Sequence, residues 1–161
     1  MEPLELNSDF RDFLRSLNST GVEYLLIGGY AVGYHGYVRA TGDLDVWIAV
    51  SPENAERMAR ALRQFGFTSG VSSDLFLHPR KVFRMGREPV RIEILTTISG
   101  IDFDSAFARR IRTTIDDIEV NVISLDDLKT NKKASGRLKD LADVEGLESP
   151  ERLRKHKDKG K

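Results

Sequence analysis

Tyr24-Leu25-Leu26-Ile27-Gly28-Gly29 and, after thirteen intervening residues, Asp43-Leu44-Asp45-Val46-Trp47-Ile48 are the stretches that decide how this chain folds. The first is a short apolar run ended by two glycines, the pattern of a buried strand that stops at a tight turn. A short helix through Ala31, Val32 and His35 follows, and Gly36 and Gly42 bracket a loop. From Asp43 onward Val46, Ile48 and Val50 recur with a period of two, so Asp43 to Val50 reads as a second strand that opens on two acids. Residues i and i+2 of a strand share a face, about 6.6 to 7 Å apart. Asp43 and Asp45 therefore point one way while Leu44 and Val46 face a core.

Outward from this centre the periodicities alternate between helix and strand. Phe10, Phe13, Leu14 and Leu17 fall at i, i+3, i+4 and i+7, an amphipathic helix over Ser8 to Leu17 that Asn7 or Ser8 can cap. Ser51-Pro52-Glu53 starts a helix that runs to about Phe65 and is closed by Gly66. Residues 75 to 85 read as a weaker strand or hairpin turning at His78-Pro79-Arg80, and Val90, Ile92 and Ile94 alternate with Arg91, Glu93 and Leu95 as a strand. A short helix near Asp104 to Arg110 leads to a last strand, Val120 to Ile123. Ser124 then caps a helix carrying Lys132 and Lys133, Gly136 interrupts it, and Leu138, Leu141, Ala142, Val144 and Leu147 mark a final helix. The fold class expected is α/β in the α+β sense, a mixed sheet flanked by helices.

Composition bounds the rest. Of 161 residues 40% are apolar, about 64 side chains, enough for one core and not two, so residues 1–148 read as one domain. Absence of cysteine excludes disulfides, thiolate metal sites and cysteine nucleophiles, and three scattered histidines lack metal-ligand spacing. No stretch approaches the ~20 apolar residues of a membrane span and the start is unlike a signal peptide, so the expectation is a soluble, cytoplasmic chain without a membrane partner. Zero net charge conceals an asymmetry: residues 1–128 hold 14 Lys/Arg and 19 Asp/Glu (−5), residues 129–161 hold 11 and 6 (+5). Residues 149–161 read as a basic, flexible tail, either a phosphate contact or a solubilising end.

The chemistry concentrates on three acids. With the Glu93 strand beside the Asp43 strand, the three carboxylates share a face, and three close negative charges are tolerated mainly where a divalent cation neutralises them. Mg²⁺ suits such oxygen ligands and completes its shell with substrate phosphates. Gly28 and Gly29 let backbone N–H groups approach phosphate closely, and Arg39 and Thr41 stand just before Asp43 where they suit a β- or γ-phosphate. No Gly-Lys-Ser/Thr follows the glycines, so the turn is not a P-loop.

These residues together resemble the nucleotidyltransferase superfamily that shares its core with polymerase β. The similarity is closest to the small bacterial branch of minimal nucleotidyltransferases and abortive-infection-type proteins. It rests on Ile27-Gly28-Gly29-Tyr30-Ala31-Val32, His35-Gly36, Arg39-Ala40-Thr41-Gly42-Asp43-Leu44-Asp45, the later Glu93, and Asn131 to Arg137 with Lys139 to Asp143, and it covers roughly residues 22–147. The resemblance implies two Mg²⁺ ions on Asp43, Asp45 and Glu93. It implies transfer of a nucleoside monophosphate from a nucleoside triphosphate to an acceptor hydroxyl on a protein, a transfer RNA end or a small molecule such as an aminoglycoside. Glu93 is the candidate to take the acceptor's proton. Only residues 124–161 are left for an acceptor-binding part, so an acceptor site completed by a second copy of the chain is a further expectation.

Each feature also has a plainer reading. Glycines 28 and 29 permit a tight turn whatever it binds, and Arg39 suits a surface ion pair equally well. Tyr30 and Tyr37 can stack on a base or fill the core. Lys132, Lys133, Arg137 and Lys139 form either a solvated helix face or a cationic wall for the triphosphate, while Asp140 and Asp143 suggest ion pairs that hold the last two helices together. The alternative function is a non-catalytic module of the same fold that binds nucleotide or RNA, or one half of a toxin–antitoxin pair.

Overall fold

Asn7 caps the first helix by accepting a hydrogen bond from the Asp9 N–H, and α1 (Ser8–Thr20) turns Phe10, Phe13, Leu14 and Leu17 inward along one stripe. Burying each is worth about 1.5 to 3 kcal/mol relative to exposure. The computed structural model describes residues 6–38, 41–87 and 90–149. β1 (Tyr24–Ile27) is buried along its whole length and passes at once into α2 (Gly28–Tyr34). β2 (Asp43–Ile48) alternates half-buried and buried residues over its first four positions and is buried at Trp47 and Ile48. Ser51 caps α3 (Pro52–Phe65), and the Asn54 side chain accepts from the Glu23 N–H and donates to the carbonyls of Glu23 and Ala49, pinning that helix to the end of the β1–β2 pair.

After a single 3₁₀ turn (Ser73–Phe76) come β3 (Val82–Arg87), β4 (Val90–Leu95), α4 (Phe103–Ala108), β5 (Ile111–Ile115), β6 (Ile118–Val122), α5 (Leu125–Ser135) and α6 (Leu138–Leu147). The strands form one mixed sheet in the order β3-β4-β2-β1-β6-β5. β1 runs antiparallel to β2 and parallel to β6; β2 runs parallel to β4; β3–β4 and β5–β6 are the antiparallel outer pairs. α1 packs against α3 and β6, and Leu44, Val46 and Ile48 of β2 are buried in the core. On the opposite face of β2, Trp47 meets Phe103 at the start of α4 edge to face at 5.1 Å. None of the described helices is long and apolar enough to cross a membrane.

The sheet is the mixed, helix-flanked one expected, with differences at its margins. The region 75–85 splits into the 3₁₀ turn and the start of β3, because Pro79 and the left-handed Arg80 (φ 60°) separate them. The expected last strand has a partner, β5, joined to it by Asp116 and Asp117 with φ 49° and 67°, the left-handed pair of a tight hairpin turn. His35 is a packed residue: its Nε2 lies 2.8 Å from the Ile123 carbonyl oxygen.

Candidate active site

Register creates the site. β2 and β4 run parallel with Asp45 opposite Glu93 and Asp43 opposite Arg91, so the period-two face of β2 and that of β4 meet side by side. One carboxylate oxygen from each of Asp43, Asp45 and Glu93 lies within 4.8 Å of the others. This is the one such group of ligating side chains among the described residues.

The three acids differ in their partners. Asp43 is held bidentately by Arg91, whose Nε donates to Oδ1 at 3.1 Å and whose Nη2 donates to Oδ2 at 2.9 Å. Glu93 Oε1 accepts from Arg84 Nε at 2.8 Å. Asp45, between them, has a buried Oδ1 with no hydrogen-bond partner. Burial first, then the charges of Glu93 and Asp43 and a hydrogen bond with Glu93, push the Asp45 carboxyl up to about 7, against the opposing charge of Lys132. An orphaned oxygen among repelling carboxylates is the donor set a hard divalent cation fits, since cation charge removes the repulsion and oxygen ligands suit it.

The glycine turn closes on this cluster. Gly28 has φ +70°, and a β-carbon there would lie 2.2 Å from Asp45 Oδ2, so both conformation and space require glycine. A β-carbon on Gly29 would lie 2.3 Å from Thr41 Oγ1. The threonine hydroxyl thus occupies the place of a side chain at residue 29, and the turn presents a hydroxyl although it has none of its own.

These residues open into a cleft of about 770 Å³ that takes in Gly28, Gly29, Thr41, Asp43, Asp45, Glu93 and Lys132. Tyr30 and Lys133 are not among the residues that line this cleft. One step along α2 from Gly29, the Tyr30 ring packs edge to face on Phe10 at 5.8 Å. Lys133 is about 100° around the helix from Lys132 and pairs with Glu148 at 3.8 Å. Tyr37 packs on α6, since a β-carbon on Gly146 would lie 2.6 Å from its ring. Arg39 and the tail 150–161 lie outside the described residues.

Lys132 is neither a solvated face nor a free wall. Its side chain is 7% exposed, and Nζ lies 3.2 Å from Asp140 Oδ1 and 3.0 Å from Asp143 Oδ2, which ties α5 to α6 beneath the cleft. The cleft also holds residues the sequence reading passed over: Arg80, Lys81, Arg84 and Arg91. For Arg91 a signal was present, because it stands two residues before Glu93 and shares its face. A second cleft of about 530 Å³, around Glu23, Arg110, Arg112 and Glu119 near the start of β1, lies apart from the acid cluster.

Residues 6–159 match the profile of a family described as a nucleotidyl transferase of unknown function (DUF2204). The fold is similar to a crystal structure from Thermotoga maritima described as that of a candidate nucleotidyltransferase, with a TM-score of 0.53 over 93% of this chain and 91% of that one at 16% identity. No curated protein sequence matches the chain.

Proposed function

The chain belongs to this nucleotidyl transferase family, and from that premise we propose that it moves a nucleoside monophosphate from a nucleoside triphosphate to an acceptor hydroxyl in a divalent-cation-dependent reaction that releases pyrophosphate. The observation that carries the reading is the meeting of Asp43, Asp45 and Glu93, one oxygen of Asp45 left unpartnered, beside a turn into which no side chain fits. Asp43, Asp45 and Glu93 would hold the cation or cations, Mg²⁺ being the natural choice. Bound there, a divalent ion supplies Lewis-acid chemistry that makes a hydroxyl more acidic and offsets charge on a leaving pyrophosphate.

The chain's own groups account for the remaining work. The Gly28–Gly29 turn allows the phosphates to approach the backbone, and the Thr41 hydroxyl beside it is a hydrogen-bond partner for them. Buried Lys132 is a fixed positive charge at the cleft floor rather than a mobile ligand. As the acceptor oxygen bonds to the α-phosphorus, the bond from that phosphorus to the bridging oxygen of the β-phosphate breaks, and the acceptor proton passes to a carboxylate, for which Glu93 is the candidate.

The test is calorimetric titration of ATP, GTP, CTP and UTP with Mg²⁺ and with EDTA, followed by transfer assays with labelled nucleotide. Asp45→Asn is expected to remove Mg²⁺-dependent binding and to lower transfer at least about a thousandfold, some 4 kcal/mol, with thermal stability retained. Undiminished transfer in that variant overturns the site. One observation favours a second reading, a binding module without transfer: arginines already occupy Asp43 and Glu93. Failure of any nucleotide to bind with Mg²⁺, together with a co-purifying protein or RNA, supports that module, including one half of a toxin–antitoxin pair.

A further inference from the structure

We propose that Arg84 and Arg91 are phosphate ligands for the acceptor, held on the site's own carboxylates until a divalent cation engages those acids, so that the acceptor hydroxyl is one flanked by phosphate. This deepens the transfer reading above and rests on it.

The first support is the pairing itself. Arg91 uses its guanidinium fork on both oxygens of Asp43, and Arg84 donates to Glu93. A guanidinium fork matches carboxylate and phosphate geometry alike, so an arginine released from one readily takes the other. When a divalent cation draws on Asp43 and Glu93, these contacts weaken, and an exposed anion becomes the better partner. Both arginines can reach one, for their side chains are 63% and 32% exposed.

Position separates this anion from the nucleotide. In the strand order β3-β4-β2-β1, Arg84 on β3 stands three strand spacings from the Gly28 turn that ends β1, about 14 Å away. A triphosphate seated at the turn lies on the α2 and Lys132 side of the acids, whereas Arg84 lies on β3 opposite Glu93, the candidate to take the acceptor proton. Charge excess points the same way. Four cations, Arg80, Lys81, Arg84 and Arg91, line the cleft with the three clustered acids Asp43, Asp45 and Glu93, which the metal would claim. Arg80 is kept there despite a left-handed backbone (φ 60°), with its N–H donating to Thr97 Oγ1 at 3.0 Å. A polycationic acceptor would meet like charge here. A nucleic-acid strand end and a phosphorylated small alcohol share the required chemistry, and two probes separate them.

The experiment measures fluorescence anisotropy of a 5′-labelled 12-nucleotide RNA with a free 3′-hydroxyl on the full chain at constant ionic strength, with Mg²⁺ or EDTA. Ribose 5-phosphate, titrated by calorimetry in the same buffers, is the small-molecule probe. Mg²⁺ ordinarily competes with protein for nucleic-acid phosphates; here it is expected to tighten the binding of one probe about tenfold. Asp43→Asn, which removes the bidentate carboxylate partner of Arg91 without metal and leaves its longer contact with Glu93, should bind that probe in EDTA more tightly than the unaltered chain does in EDTA. The double variant Arg84→Gln/Arg91→Gln should lose the tightening, and with RNA its salt slope should fall by about 2, while Mg²⁺·ATP binding persists. RNA as the responsive probe identifies a strand end, ribose 5-phosphate a small alcohol. Tightening of neither probe by Mg²⁺, or its survival in the double variant, overturns the proposal while Mg²⁺·ATP binding leaves the transfer reading standing. Loss of Mg²⁺·ATP binding in the double variant assigns the arginines to the nucleotide and also overturns it. Absence of Mg²⁺·ATP binding in the unaltered chain removes the transfer reading and this inference with it.

Discussion

Two carboxylate clusters in this molecule behave in opposite ways, and the deeper one is the more comfortable. Asp140 and Asp143 are 0% and 2% exposed, beneath the α5–α6 junction, whereas Asp43 and Glu93 keep 24% and 17% of their side chains exposed at the cleft. Burial alone would raise the Asp140 carboxyl, but hydrogen bonds from Arg137 and Ser135 and the charge of Lys132 outweigh it and bring it down to about 2. Asp45, with two acids as neighbours and one oxygen unpartnered, goes up to about 7. Partner count, more than depth, decides whether a buried acid is a structural tie or a site waiting for a cation.

The largest effect that can break this contrast comes from Lys132→Met. It strips the shared cation from two buried acids and should cost about 3–5 kcal/mol in urea unfolding. A loss below about 1 kcal/mol would show that the α5–α6 pair is not held by this tie. The same acid-to-amide change should act with opposite sign in the two clusters: Asp140→Asn lowers the unfolding midpoint, and Asp45→Asn leaves it unchanged or raises it.

Titration sharpens the comparison. The folded pKa of Asp140 lies below its unfolded value, so its stabilisation is present above about pH 4 and fades as pH falls toward 2. For Asp45 the folded pKa lies above the unfolded one. Between about pH 4 and 7 the folded chain keeps a proton that the unfolded chain has released, and metal-free stability declines as pH rises through that window. Urea midpoints at pH 5 and 7 in EDTA should show this decline in the unaltered chain and not in Asp45→Asn.

Two glycines extend the contrast to the backbone. Gly28 and Gly136 have nearly the same φ, +70° and +69°, but a β-carbon at 28 meets Asp45 Oδ2 at 2.2 Å while one at 136 meets nothing nearer than 3.7 Å. Each alanine variant should lose about 1–2 kcal/mol from the left-handed backbone, and only Gly28→Ala should also weaken Mg²⁺-dependent nucleotide binding in calorimetry. Smallest of all, Lys133→Ala removes an exposed pair with Glu148 and should change stability by less than about 0.5 kcal/mol, with nucleotide binding intact.

Much of the cleft was legible because strand periodicity is local. The alternation of Asp43-Leu44-Asp45-Val46 assigns faces without reference to anything distant, and that of Arg91-Ile92-Glu93-Ile94 does the same. β5 is less legible although Ile111, Thr113 and Ile115 alternate, since Asp116-Asp117 is a weaker hairpin signal than Asn-Gly or Asp-Gly. Tyr30 directly follows Gly29, yet a helix turns about 100° per residue, and that step carries the ring away from the cleft to Phe10.

By itself, then, the sequence determined most of the strands and helices, the apolar face of the β2 and β4 strands, and that three acids stand at the edge of an apolar pattern. The tertiary structure alone decided that β2 and β4 align Asp45 with Glu93, that Arg91 and Arg84 close on the acids, and that Lys132 is buried while Lys133 is not. Periodicity is a property of one segment, whereas strand register and helix crossing are set by packing between segments far apart in the chain, and charge pairing follows only once that packing exists.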